Sequence, residues 1–227
     1  MKKDHRWLES QGVLMSILVT VLVLVGGIVE IVPLYYVRSS VPPIDGVKPY
    51  TPLELEGRDI YVREGCYNCH SQMVRPFRDE TERYGPYSKA GEFVYDHPFQ
   101  FGSKRTGPDL HRVGGKYPDS WHYYHMRNPR EIVPGSVMPV YSWLHQNALD
   151  TSLTKRKMEV LRKLGVPYSQ EEIDGAKAAI DKQAQEIAGR LTEQKVEGVQ
   201  ADREIIALIA YLQRLGGDIH WREAQQQ

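Results

Sequence analysis

Cysteine is nearly missing from this chain, with two among 227 residues, Cys66 and Cys69. A zinc site built on them would want two further Cys or His at matching spacing, and no second Cys-containing pair exists. An excess of charge of either sign is missing too. The 29 Lys and Arg balance 29 Asp and Glu, so no broad basic face points to nucleic acid and any charged docking patch must be local. Charge is wholly absent over the 18 residues from Gly12 to Val29.

That last absence is itself a signal. Apolar character continues past Glu30 to Val37, long enough for one membrane-spanning helix. Lys2, Lys3 and Arg6 flank its start, which puts the N-terminus in the cytoplasm by the positive-inside tendency. Trp7 on one side and Tyr35 and Tyr36 on the other suit the two interfaces. A cleaved signal peptide would usually have a shorter apolar region followed by small residues. Pro33-Leu34-Tyr35-Tyr36 follows instead, so residues 1–40 are expected to be a retained anchor. Gly26-Gly27 would let another helix approach closely, and Glu30 is an ionisable group that wants a partner or water.

The two cysteines stand in Cys66-Tyr67-Asn68-Cys69-His70, the attachment signature of a c-type haem. Each thiol adds across one haem vinyl group, and two intervening residues let a helical turn present both sulfurs to one porphyrin edge. His70 then places its imidazole under the iron as the proximal ligand. A thioredoxin-like redox pair would sit at a helix N-terminus after a strand, whereas a helix-like stretch precedes this one. Covalent haem attachment belongs outside the bacterial cytoplasm, so the soluble part is expected in the periplasm.

Around this motif the chain reads as a helical domain with long loops. Residues 41–52, rich in proline, read as a linker. Thr51-Pro52-Leu53-Glu54 has the form of a capping box with proline at the first helical position, starting a helix that runs into the motif and ends at Gly65. Arg75, Arg78, Tyr84, Tyr87 and Tyr95 then fall in what reads as a long wrapping loop. A short helical patch is expected from Ser120 to Arg127. From about 147 to 200 the composition turns to Lys, Glu, Gln, Ala and Asp. Leu153, Leu161 and Leu164 near helical spacing, a break at Gly165-Val166-Pro167, and a second capping box at Ser169 predict an inserted helical hairpin. Ile173, Ile180, Ile187 and Leu191 mark its apolar face. The last helix, Arg203 to Leu215, carries Ile205, Leu208, Ile209 and Leu212 at i, i+3, i+4 and i+7, with Gly216 as its C-cap. The domain is thus expected over 53–216, with a polar tail at 217–227.

An electron-transfer haem generally has both axial positions filled, most often by His with Met or by two His. Met73 is too close to His70 to reach the opposite face, and Met126 and Met158 sit where gap-filling is the expected role. Met138 lies in the proline-bracketed run Val133-Pro134-Gly135-Ser136-Val137-Met138-Pro139, which could hold a thioether against iron. His111, His122, His125 and His145 are the bis-His alternatives. The carbonyl of Pro108 is the candidate acceptor that would fix the His70 ring. Lys104, Arg105, Arg75 and Arg78 are candidates for the haem propionates.

Taken together, CYNCH, TGPDL, PGSVMP and EIIALIAYLQRLG resemble the cytochrome c fold, in which the first and last helices cross. Gly57 or Tyr61 against Leu208 or Tyr211 would serve that crossing here. The anchor ending GGIVEIVPLY and the runs CYNCHSQMVRPFRDETERYG, FGSKRTGPDLHRVGGKYPDSWHYYHMRNPR and VPGSVMPVYSWL further resemble the mono-haem, membrane-anchored subunit II family of cbb3-type cytochrome c oxidases. The resemblance implies a mainly α protein, one N-terminal transmembrane helix followed by a class I-like cytochrome c domain with a helical insertion. It implies a relay that passes electrons from a di-haem subunit, or directly from a soluble cytochrome c, to the b-type haems and copper of a catalytic subunit. The chain itself would carry no catalytic residue for oxygen reduction. A calcium ion near the subunit interface is also implied, with Ser103 a candidate contributor. Two other readings stay open, an independent membrane-tethered carrier and a haem sensor that binds a gas.

Overall fold

The computed structural model describes residues 6–36 and 41–218, the side chains of residues 34–36 excepted. The Lys2 and Lys3 flank, the Tyr35 and Tyr36 side chains, Val37 and the tail at Trp221–Gln227 lie outside the described residues. Among those described the protein is helical, with no strand. The chain divides into two units, residues 1–43 and 44–227.

The first unit holds α1 (Arg6–Glu9) and α2 (Gly12–Tyr36). Residues Gly12–Pro33 are long and apolar enough to cross a membrane, and their large side chains are exposed among the described residues. Buried in lipid they would satisfy both the hydrophobic effect and the internal hydrogen bonding that a span requires. A methyl group added at Gly26 or Gly27 would meet nothing within 4 Å among the described residues of this unit.

The second unit starts with a short arm, residues 44–50, expected as linker but packed on the domain. The Tyr50 ring lies 5.6 Å from that of Tyr211, and Lys48 O accepts from Arg214 Nη2 at 2.9 Å. Then comes α3 (Pro52–Arg63), started by the expected capping box: Glu54 N donates to Thr51 Oγ1, and Thr51 N to the Glu54 carboxylate. Its C-terminal exit is Gly65, whose φ of 70° is the left-handed region that favours glycine. A single 3-10 turn, Cys66–Asn68, follows at once. The expected wrapping loop contains one helix, α4 (Arg78–Tyr84), and a turn at Ala90–Phe93. Next are α5 (Asp119–Arg127) and α6 (Pro129–Ile132), then a turn at Ser142–His145.

The insertion is α7 (Thr154–Lys163), α8 (Gln170–Asp174) and α9 (Ala176–Glu193). It is therefore three helices rather than a hairpin, because the run after Ser169 breaks at Gly175. The leucine spacing misplaced the buried face of α7. Leu153 and Leu164 cap its two ends and are exposed, while Thr154 and Met158 turn inward and Met158 is 0% exposed. Met158 packs with Leu55, Val166, Tyr168 and Ile173 in a small satellite core. Ile173, Ile180, Ile187 and Leu191 are buried as expected. The insertion is bolted to α3 by polar contacts as well. The buried Glu56 accepts from Thr154 Oγ1 at 2.5 Å and pairs with Lys157 Nζ at 2.6 Å.

Last comes α10 (Glu204–Arg214), buried along nearly its whole length and crossing α3. The crossing is made by Gly57. A Cβ there would sit 1.9 Å from Ala207 O and 2.9 Å from Tyr211 Cβ, so only glycine lets the backbones approach so closely. Tyr211 is the aromatic partner expected from the sequence, its ring 5.4 Å from that of Tyr61. Ala207, rather than Leu208, faces the glycine. Each large aliphatic side chain sealed in this core contributes about 1.5–3 kcal/mol, and α9 covers both helices from the side.

Candidate functional site

Because α3 is anchored through Gly57, the turn that follows it is held in place. Cys66 O accepts from Cys69 N at 3.1 Å and from His70 N at 2.9 Å, so one turn of backbone presents two thiols and an imidazole together. Cys66 is half-buried and Cys69 exposed, and neither is in a disulfide. Burial pushes the Cys66 thiol up to about 12.

The segment 107–110 lies against this turn. Gly107 N donates to Cys69 O at 2.9 Å, and Leu110 N to Ser71 O at 2.8 Å. That alignment puts His70 Nδ1 2.8 Å from Pro108 O, an acceptor that fixes the ring plane and leaves Nε2 facing away. Burial lowers the His70 pKa, and the Pro108 contact opposes this. Gly107 was missed by sequence reasoning. A Cβ there would stand 2.2 Å from His70 Cε1, so the Gly-Pro pair in TGPDL is a seat for the imidazole. Asp109 locks the same strip, accepting from Ser71 Oγ at 2.6 Å, Met73 N at 2.8 Å and His111 N at 2.9 Å.

Cys66, Cys69, His70, Pro108 and Met138 line one cavity of about 460 Å³. Its remaining wall is mostly apolar, with Leu208 and Leu212 from α10, Val113, and Tyr141 from the loop after Met138. Met126 lines it too, so two thioethers reach the wall. The donor set of two thiols, one imidazole and a thioether fits a covalently held haem with two axial ligands. A second observation supports the fit: Tyr61 Oη, both ring nitrogens of His122 and His125 Nδ1 are buried on this wall with no protein partner among the described residues. Such buried polar groups require partners, and a bound haem or water would supply them.

The other candidates fall differently. His111 is taken by Ser88 Oγ at 2.5 Å and stacks on Phe93, and His145 Nε2 lies 3.0 Å from Tyr123 O. Arg105 does not line this cavity. It donates to Ser71 Oγ at 2.7 Å and Met73 O at 2.9 Å and pairs with the buried Glu80, which makes it a brace behind the His70 strip. Arg75 and Arg78 are paired with Glu80 and Glu82. The cations on the cavity wall are Arg112 and Lys116. Ser103 is exposed, and among the described residues no group of three or more His, Cys, Asp or Glu could hold a metal ion.

A family model described as cytochrome c oxidase, mono-heme subunit/FixO, matches residues 5–219 of this chain. No curated protein matches it. With nearly its whole length covered, the chain belongs to the mono-haem subunit family of cytochrome c oxidase, as the four sequence runs led us to expect.

Proposed function

We propose that this mono-haem subunit of a cbb3-type oxidase relays single electrons through one c-type haem, attached covalently at Cys66 and Cys69 with His70 and Met138 as axial ligands. The observation that carries the proposal is the convergence of those four side chains on a single, largely apolar cavity. When bound, the haem supplies a one-electron ferric–ferrous couple whose potential depends on its ligands and surroundings. The chain's own contribution is to hold that couple rigidly. Pro108 and Gly107 orient His70, while α10 walls the pocket with Leu208 and Leu212 and excludes water. Low polarity around the iron and a thioether ligand both favour the ferrous state.

In this reading α2 anchors the protein once in the bacterial inner membrane, with the N-terminus cytoplasmic and the haem domain periplasmic. Electrons enter from a di-haem subunit or a soluble cytochrome c and leave for the b-type haems and copper of the catalytic subunit. The Gly26-Gly27 face of α2 suits a helix of that partner. A calcium ion at the exposed Ser103 would take most of its ligands from the partner, since the described residues hold no metal-binding cluster of acidic side chains.

The test is extraction in mild detergent through a tag on this chain, followed by a reduced-minus-oxidised spectrum and metal analysis. Co-purification of b-type haem and copper with the c-type band supports the relay. A c-type band alone, without partner chains, would replace it with a membrane-tethered carrier.

A further inference from the structure

The helix α10 gives the cavity two distinguishable ends. At its N-terminus Glu204 accepts from Arg63 Nη1 and Nη2 at 2.7 and 2.8 Å, and Arg63 closes α3 three positions before Cys66. At its C-terminus Leu215 O accepts from Gly114 N at 3.0 Å, and Gln213 Nε2 donates to Tyr117 O at 2.9 Å. Leu208 and Leu212 line the cavity between. At 1.5 Å per residue the 11 residues of α10 span roughly 16 Å, enough to run beside a porphyrin from one edge to the other. A haem tied by its vinyl carbons at the cysteine end would turn its two propionates toward the other end, where the segment 113–122 stands.

That end holds donors that the protein leaves unused. His122 is 1% exposed, and neither of its ring nitrogens has a protein partner. The nearby acid, Asp119, is already engaged by Arg190 Nε and Gln213 Nε2, both at 2.8 Å. Lys116 places its ammonium 5.6 Å from the centre of the Tyr117 ring and makes no ion pair among the described residues. Arg112, by contrast, is spent on Glu92 at 2.6 and 2.9 Å. A carboxylate is an acceptor only, and it needs a cation and N–H donors when it is taken out of water.

We propose that His122 and Lys116 form the propionate site of the haem, His122 as a buried N–H donor and Lys116 as the balancing cation. The proposal rests on the covalent-haem reading above. It replaces Lys104, Arg105, Arg75 and Arg78, none of which lines the cavity. Burial drives the His122 pKa down to about 4, so at neutral pH the imidazole is neutral, with one donor nitrogen and one acceptor. Trp121 holds the neighbourhood flat, stacked between Tyr117 at 4.1 Å and His125 at 4.4 Å.

The test uses the full chain, loaded with haem in detergent. A haem stain on the denatured wild type comes first; a chain with no covalent haem would sink the proposed function itself, and this assignment with it. Given covalent haem, His122→Phe removes the donor and keeps a ring, and it leaves a propionate charge less compensated. The ferric form should then gain about tenfold at equilibrium, a fall of about 59 mV for a one-electron couple. His122→Gln, which restores an amide donor, should recover most of that fall, and the thioether–iron charge-transfer band should persist in both. A His122→Phe potential equal to wild type would overturn the proposal, as would loss of that band. If His122→Phe fails to load haem, Lys116→Met carries the test. A fall in potential that Lys116→Arg reverses supports the site, and an unchanged potential overturns it.

Discussion

The crossing of α3 and α10 makes a quantitative test of the fold. In Gly57→Ala the new methyl group would stand 1.9 Å from the carbonyl oxygen of Ala207, a backbone atom that cannot rotate away, and 2.9 Å from Tyr211 Cβ. Ordinary contact needs about 3.5 Å, so the two helices must part by roughly 1.5 Å where they are most deeply buried. Overpacking of this kind costs about 1–3 kcal/mol, occasionally more, and contact with rigid backbone on α10 puts it at the upper end. Alanine returns about 1 kcal/mol of helix propensity. The expected net loss is about 2 kcal/mol, or about 4–8 °C in Tm for a domain of this size. Thermal unfolding of the haem-loaded chain, followed by far-UV circular dichroism, measures it. Gly189→Ala is the internal control. It lies on the exposed side of α9 with nothing within 4 Å of the added methyl group, so the same substitution should raise stability by up to about 1 kcal/mol. A Gly57→Ala protein melting within about 2 °C of wild type would refute the close-crossing argument.

Three further outcomes follow from the same geometry. Gly107→Ala drives a methyl group into the space of His70 Cε1 at 2.2 Å, and should cut the haem-loaded fraction about tenfold, the usual scale for disturbing a ligand's support; a heme stain normalised to total protein reads it. Met138→Ala should change the ferrous spectrum and lower the potential; were both unchanged, relay through a His/Met iron would be wrong and gas sensing would gain. Glu80, held down to about 2 chiefly by its hydrogen bond with Arg105, contributes stability that is present above its ordinary value near 4.5. That contribution is lost as pH falls from there toward about 2. The wild-type advantage over Glu80→Gln should be about 1–2 kcal/mol at pH 7, discounted for the half-exposed Arg75, and should vanish in denaturant melts at the acid end.

Sequence alone determined what depends on neighbours along the chain. The capping box at Thr51, the glycine exit at Gly65, the apolar stripe of α10 and the uncharged run of α2 follow from backbone chemistry and 3.6-residue periodicity, and each was legible. So was the motif that gathers two thiols and an imidazole within one turn, because five consecutive residues carry it.

Tertiary structure decided the rest, since it depends on which surfaces meet. Leu153 and Leu164 kept helical spacing but sat at the caps of α7, while Met158 took the buried place. Arg105 is as cationic as Lys116, yet the strip of Ser71 and Glu80 claimed it and left Lys116 on the cavity wall. Gly107 had no role legible in the sequence until the ring of His70 was placed against it, and Gly57, expected at the helix crossing, found its partner only in the carbonyl of Ala207. Local propensity is written in a few adjacent side chains, whereas a long-range partner is fixed only when the two helices cross and every buried donor has been assigned or left waiting.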